Sequence, residues 1–174
     1  ELSPLLVGGG QEQGLRAGTE SVPLIMGFAY ALLKAEELRE HESLRLRSLR
    51  NYFIRVLEQA IPGVMINGHP EHVLPHIVHI TVPGIEGESM VLMLDEQGIE
   101  VATGSACSAH DLRPSHVVSA IGQPSELIHG SLRFSMGRET TEEELEYVLR
   151  VFPSIVRRLT EISALTTTHY AHAQ

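Results

Sequence analysis

The sequence predicts an α/β fold: a small, mainly antiparallel sheet with packed helices, preceded by a glycine-rich loop and a long linking helix. Apolar residues recur at helical spacing near both ends of the chain, whereas short apolar runs bounded by turn residues occupy its middle. Hydrophobic residues make up 43% of the 174 positions, which is enough for one core. We therefore expect a folded α/β domain rather than a repeat array or a disordered chain.

The first part of the chain is expected to form a loop and one long helix. The apolar run Leu5–Val7 enters a segment rich in glycine, so residues 1–20 are predicted to be a strand end and a glycine-rich loop. Helical spacing then continues until Pro62, and residues 21–62 are predicted to form the linking helix. Because about 40 residues is longer than a typical globular helix, we predict a kink or a break near residues 39–43.

The small α/β domain is expected to cover residues 63–165. Thr141 and Glu144 have the spacing of a capping box, which starts a final helix that Pro153 is expected to kink. The polar residues 166–174 are predicted to form a flexible tail. Strands are predicted at 64–66, 77–82, 99–102 and 131–135, and helical segments at about 86–97, 115–121 and 124–129.

Charge and composition limit the partners. The formal net charge is −9, whereas a general nucleic-acid binder needs a basic surface and an anionic membrane attracts basic segments. No apolar run reaches the length of a transmembrane helix, and a single cysteine forms no internal disulfide. We expect a cytoplasmic protein with no nucleic-acid or membrane partner.

A group of four histidines raises the question of a metal site. They follow one another at spacings of three, four and three residues: His69, His72, His76 and His79. Pro70 and Pro75 interrupt any helix that could align the first three, and no second cysteine is present to complete a zinc site. The prediction is that there is no metal site and that these histidines are solvated side chains at strand edges.

Cys107 is the only cysteine of the chain, and the sequence places it in a loop. It lies in a run of small residues, Ala102–His110, between a predicted strand and a predicted helix. Such a cysteine is either a small buried side chain or a thiolate that acts as a nucleophile, helped by His110 or Arg113. The residues alone leave both interpretations open.

Two further features have a functional and a structural interpretation each. Arg133 alternates with Leu132 and Phe134 along a predicted strand, so its side chain lies on the face of the strand opposite theirs. It is either a paired surface charge or a group that binds a substrate carboxylate. The segment 8–19 matches neither a P-loop nor a dinucleotide fingerprint. It is either a plain connection or an anion site that includes backbone N–H groups, Thr19 and the start of the following helix.

Three motifs, in order along the chain, resemble cysteine desulfurases of the NifS/IscS type. They are GGGQEQGLRAGTES (Gly8–Ser21), ATGSACSAHDLRPSHV (Ala102–Val117) and SLRFSMGRETTEEEL (Ser131–Leu145). Such enzymes use pyridoxal phosphate (PLP) and belong to the class V aminotransferase group. The resemblance implies that residues 63–165 form the small C-terminal domain of a fold-type-I PLP enzyme, and that residues 1–20 belong to its large cofactor domain.

The resemblance also implies roles for three residues. Cys107 matches the nucleophile that takes sulfur from L-cysteine, leaving L-alanine and an enzyme persulfide. Arg133 matches the arginine that binds the substrate carboxylate. Thr19 matches the threonine that reaches the cofactor phosphate of the partner in a homodimer. A sulfur-acceptor or scaffold protein, in iron–sulfur cluster assembly or thiolation, would then receive the sulfur.

The lysine that binds PLP in this family precedes the glycine-rich loop, and this chain has no lysine there. The only lysine, Lys34, lies within the predicted linking helix. We therefore expect a C-terminal portion of a desulfurase that lacks the N-terminal large domain and is inactive alone. The alternatives are a selenocysteine lyase, a non-catalytic sulfur-carrier or interaction domain, and a domain in which Cys107 is structural.

Overall fold

The computed structural model of the protein describes residues 2–103 and 115–171. The chain divides into two compact units, Glu1–His41 and Glu42–Gln174. A short 3-10 helix, Gln11–Gly14, comes first. The helices are α1 (Val22–Ala60), α2 (Gly87–Asp95), α3 (His116–Ala120), α4 (Ser125–Ile128) and α5 (Glu142–Ala171), and the strands are β1 (Met65–Ile66), β2 (Ile77–Thr81), β3 (Ala102–Thr103) and β4 (Ser131–Ser135).

The glycine-rich loop of the first unit contains a left-handed turn. Glu12 and Gln13 have φ values of 51° and 55°, and Gly14 follows at 80°. A left-handed backbone costs a residue with a Cβ atom about 1–2 kcal/mol, so this turn holds strain. Where the sequence predicted a strand end, the structure has an isolated parallel bridge between Leu6 and Arg16.

Helix α1 runs from Val22 to Ala60 without interruption, so the break that was one of the two outcomes predicted near residues 39–43 does not occur. The alternative outcome, a kink, stays a prediction. The sequence has no glycine or proline between Gly27 and Pro62, so no residue in that interval interrupts the backbone hydrogen bonds. Ion pairs at i, i+3 spacing, which support a helix, also cover the region of the expected break. They are Lys34–Glu37, Glu36–Arg39 and Glu42–Arg45.

Within the first unit, α1 exposes many large apolar side chains. Leu24 is 74% exposed and Phe28 is 72% exposed. The other apolar residues of this stretch that are more than half exposed are Val22, Ile25, Met26, Tyr30, Leu32 and Leu33. A contiguous apolar surface of this kind marks a contact surface rather than a solvated one.

The sheet of the second unit has four strands in the order β1-β2-β4-β3, and every pair in it is antiparallel. The two central strands, β2 and β4, pair over five residues, with His79 opposite Arg133. The alternation along β4 puts Leu132 and Phe134 in the core and leaves Arg133 exposed, as the sequence predicted. The mainly antiparallel α/β architecture is confirmed.

Helices cover one face of this sheet, and aromatic rings join the layers. The Phe134 ring of β4 lies 5.1 Å from that of Phe53 in α1 and 5.6 Å from that of Phe152 in α5, both edge-on. Val78 and Leu132 are fully buried beside them. Such aromatic pairs add about 0.5–1.5 kcal/mol each beyond the area that they bury.

Local hydrogen bonds fix the connection between β4 and α5. The predicted capping box is present: Glu144 N donates to Thr141 Oγ1 at 3.2 Å, and Thr141 N donates to Glu144 Oε2 at 2.9 Å. The guanidinium of Arg45 donates to the carbonyls of Thr140 and Arg138 at 2.8 and 2.7 Å. The end of β4 is therefore held from two sides.

The start of β4 depends on a glycine with no room for a side chain. A Cβ atom on Gly130 would lie 2.3 Å from the carbonyl oxygen of Val82 and 2.8 Å from that of Ile85. The backbone of Gly130 also accepts a hydrogen bond from Val82 N at 2.9 Å. Gly130 thus sets how closely the chain before β4 approaches the end of β2.

Substitution of Gly130 is expected to test this close approach. Gly130→Ala should lower the free energy of unfolding by about 1–3 kcal/mol, because the new methyl group overlaps backbone atoms that cannot rotate away. Urea denaturation of the two chains measures the difference. Gly137→Ala is the matched control, because no atom lies within 4 Å of its added Cβ. Equal loss in both variants would contradict the packing argument.

Candidate functional site

Three polar side chains and a small one form a row across the sheet, on the face opposite the aromatic core. The β2–β4 register puts His79 opposite Arg133, and the β3–β4 register puts Ala102 on the other side of Arg133. Asn67 follows β1 and donates its backbone N–H to His79 O at 2.8 Å, which continues the row. Residues opposite one another in an antiparallel pair project to the same face. We call Asn67, His79, Arg133 and Ala102 the cross-strand row.

Asn67, His79 and Arg133 of this row line a cavity of about 340 Å³, together with Val118 of α3. Among the described residues that line it, none is acidic, and Arg133 carries a permanent positive charge. This part of the lining is therefore suited to a small anionic group.

Arg133 is exposed, and within the described residues no hydrogen bond or ion pair engages its guanidinium. Of the two interpretations of Arg133 from the sequence, the paired surface charge therefore finds no support in the described part of the chain. An unpaired guanidinium presents donors in a planar fork that matches a carboxylate.

The segment that carries Cys107 starts and ends at this cavity. Thr103, the last residue of β3, and Ser115, just before α3, both line it. Cys107, His110 and Arg113 lie outside the described residues. The ends of their segment, but not the thiol itself, are thus fixed beside Arg133.

A hydrogen-bond network that sequence reasoning missed supports the row from one side. Asn67 Nδ2 donates to Thr81 Oγ1 and contacts His79 Nδ1, both at 2.8 Å, and Asn67 Oδ1 accepts from Gln123 Nε2 at 2.7 Å. The expectation of a solvated edge histidine is wrong for His79, because β2 is a central strand. Alternation along β2 was the available signal, since it places His79 on the same face as Thr81.

Burial, followed by the nearby positive charge of Arg133, lowers the pKa of His79 below its ordinary value of 6.5. Both causes disfavour the imidazolium form. His79 is therefore neutral at physiological pH, and one ring nitrogen is an acceptor while the other is a donor.

The remaining predicted residues lie in the first unit. Thr19 is exposed and follows Gly18, whose N–H bonds to Gln11 Oε1 at 3.3 Å. The Lys34 ammonium pairs with Glu37 at 2.6 Å on the exposed surface of α1. A lysine that forms a Schiff base needs a neutral amine in a sheltered pocket, so Lys34 does not fit a PLP attachment site.

The described histidines and carboxylates do not extend the site. Among residues 2–103 and 115–171, no three His, Cys, Asp or Glu side chains are grouped so that they could hold a metal ion. His69 Nδ1 instead accepts backbone N–H groups of Glu71 and His72 at 3.0 Å. No helix in the described part of the chain has the length and apolar character needed to span a membrane.

The lowered pKa of His79 gives a pH dependence with a definite sign. The unfolded chain binds this proton at a higher pH than the folded chain does, so the contribution to stability is present above pH 6.5 and is lost as pH falls below it. Unfolding free energies at pH 7.5 and 5.5 should therefore differ less in His79→Gln than in the wild type. His116→Gln, at an exposed histidine, is the control. A wild-type pH slope in His79→Gln would contradict the burial argument.

Curated relatives of the chain are named as cysteine desulfurases. The chain is 47% identical over 163 residues to cysteine desulfurase IscS of Dictyoglomus turgidum, covering 94% of this chain and 41% of that protein. It is 46% identical over 170 residues to IscS of Methanosarcina thermophila, covering 98% and 42%. Cysteine desulfurase NifS of Azotobacter vinelandii is 41% identical, with coverage of 92% and 40%. The chain therefore spans about two-fifths of the length of these relatives.

Solved structures and a family profile agree with these relatives. A NifS-like protein superposes with a TM-score of 0.75 at 33% identity, covering 90% of this chain and 39% of that one. A NifS-like protein from Rickettsia africae gives a TM-score of 0.74 at 26% identity, with coverage of 89% and 40%. The profile described as aminotransferase class-V matches residues 3–148, which include the glycine-rich loop, α1, the whole sheet and the cross-strand row. The chain belongs to the class-V aminotransferase family.

Proposed function

We propose that this chain is the portion of a PLP-dependent cysteine desulfurase that binds the substrate carboxylate and accepts the sulfur. The complete enzyme converts L-cysteine to L-alanine and leaves a persulfide on Cys107. The persulfide sulfur then passes to an acceptor or scaffold protein, in iron–sulfur cluster assembly or thiolation. The names of the relatives support the reaction.

The observation that carries the proposal is the position of Arg133. Among the described residues its guanidinium has no hydrogen-bond or ion-pair partner and the cavity lining has no acidic side chain, and the segment containing Cys107 begins and ends at the same cavity. A carboxylate bound by Arg133 holds the amino acid at a fixed distance from the base of that segment. Cys107 is thereby presented with a substrate of fixed orientation.

Sulfur transfer assigns a defined step to Cys107. The Cys107 thiolate attacks the substrate sulfur, so that an S–S bond forms as the substrate C–S bond breaks. The carbon side retains the electron pair of the broken bond and gains a proton, which produces alanine. PLP supplies the electron sink that such a cleavage needs.

The PLP site itself must be completed by residues that this chain does not provide. Lys34, the only lysine, is ion-paired on α1, and the relatives are more than twice as long as the aligned region. We propose that an N-terminal large domain supplies the attachment lysine and covers the exposed apolar residues of α1. Thr19 would contact the cofactor phosphate of the partner in a homodimer.

A non-catalytic sulfur carrier is the second candidate, and the environment of Lys34 favours it for the chain in isolation. Such a carrier would accept sulfur on Cys107 from another enzyme and would never bind PLP.

A selenocysteine lyase would use the same chemistry on L-selenocysteine, in which selenium replaces sulfur. Relative rates with L-cysteine and L-selenocysteine separate it from a desulfurase.

A hybrid enzyme tests the proposed function. In it, this chain replaces the aligned region of Dictyoglomus turgidum IscS, so that the rest of that protein completes the cofactor site. We expect the hybrid to release equal amounts of alanine and sulfide from L-cysteine in the presence of a thiol reductant. Cys107→Ser should lower the rate at least about 100-fold, because the nucleophile is lost.

The outcome is decisive when the parent enzyme is assayed beside the hybrid. An inactive hybrid with bound PLP, beside an active parent, would contradict the proposed reaction. A hybrid in which Cys107→Ser retains full rate would contradict the role of Cys107.

Arg133 is tested in the same hybrid. Arg133→Leu should raise KM for L-cysteine about 10- to 100-fold, since hydrogen bonds to a charged group contribute about 1.5–3 kcal/mol. Arg133→Lys should recover only part of the loss, because a lysine keeps the charge but not the fork. Arg157→Leu, at an exposed arginine of α5, is the control. A KM unchanged by Arg133→Leu would exclude carboxylate binding at this position.

A further inference from the structure

We infer that His79 is a second donor to the substrate carboxylate, beside Arg133, and that Asn67 and Gln123 are positioning residues that hold the imidazole in the required tautomer. This inference rests on the proposed function, because it assigns a further residue to the same cavity. It concerns side chains of the cross-strand row that the motif resemblance did not include.

The sheet register brings His79 to the carboxylate position. His79 and Arg133 are directly opposite on the two central strands, where the Cβ atoms of paired residues lie about 4.5–5.5 Å apart. Both side chains line the cavity. A carboxylate has about four lone-pair positions, and a guanidinium fork uses two of them. A donor on the neighbouring strand can therefore reach a lone pair that Arg133 leaves free.

With the amide orientations that the network has, Nε2 of His79 is the donor nitrogen. Asn67 Oδ1 accepts from Gln123 Nε2, so the Asn67 amide nitrogen is directed to Thr81 Oγ1 and His79 Nδ1. His79 Nδ1 then accepts a hydrogen bond and carries no proton. In the neutral imidazole the proton lies on Nε2, which no described group engages. The free N–H is the group that we assign to the substrate.

A neutral donor suits this position. Arg133 is the only other ionisable side chain among the described residues that line the cavity, and its charge already balances one carboxylate. A neutral N–H adds a hydrogen bond and direction without adding a second charge. Removing it should therefore weaken binding of the carboxylate and leave later chemical steps unchanged.

Kinetics of the hybrid enzyme give the first test. His79→Leu should raise KM for L-cysteine about tenfold with kcat within twofold of the wild type, because one hydrogen bond to a charged group is lost. His79→Gln should recover most of the loss, since its amide N–H lies near the position of Nε2. The inhibition constant of cysteamine, which has no carboxylate, should be the same in all three enzymes. A KM unchanged in His79→Leu, or an equal change for cysteamine, would overturn the inference.

A second measurement needs no turnover. Nitrogen-15 NMR of the 174-residue chain reports which nitrogen of each histidine is protonated, and the signal missing in His79→Gln identifies His79. We expect the Nε2–H tautomer and an upward shift of the His79 pKa on addition of L-alanine, whose carboxylate favours the protonated ring. The Nδ1–H tautomer, or no response to L-alanine, would contradict the inference.

The two failures are distinguishable. An enzyme that never turns over L-cysteine contradicts the proposed function, whereas the NMR response to L-alanine tests His79 on its own. An active enzyme whose His79→Leu variant keeps its KM contradicts only the inference about His79.

Discussion

The pairing of β2 with β4 is the constraint on which the site depends. Its five-residue register sets Val78 against Phe134 on the core face and His79 against Arg133 on the other face. A slip of one residue would exchange the two faces, so that Arg133 would point into the aromatic core. The rings of Phe53 and Phe152 around Phe134 therefore stabilise the fold and also keep the guanidinium in the cavity.

The two edges of the sheet serve different purposes at this site. On one side, Asn67 and Gln123 hold the ring of His79 through side-chain amides. On the other side, β3 ends at Thr103, where the segment with Cys107 begins. Arg133, which we propose binds the substrate, and the start of the segment that carries Cys107 thus lie at the same central pair of strands.

Features determined by local sequence were predictable. The capping box at Thr141 and the alternation around Arg133 need only neighbouring residues, and both are present in the structure. A kink or a break was expected in α1; the break does not occur, because that part of the expectation rested on the average length of helices. The absence of glycine and proline after Gly27 decided the outcome instead. The roles of Cys107 and Thr19 rest on resemblance and stay predictions.

The polar network was not predictable in the same way. Asn67 and Gln123 are 56 residues apart in sequence, and their contact depends on strand order and on the position of α3. His79 was grouped with three neighbouring histidines because of its spacing, whereas its environment is set by strands on both sides of β2. Register across a sheet carries information that a linear pattern does not contain.

Arg133 is the one side chain with a permanent positive charge among the described residues that line the cavity, in a chain whose formal net charge is −9. Interactions between exposed charges extend over about a Debye length, roughly 8 Å at physiological ionic strength. Under the proposed function, Arg133 would therefore attract a carboxylate only at short range, within the cavity.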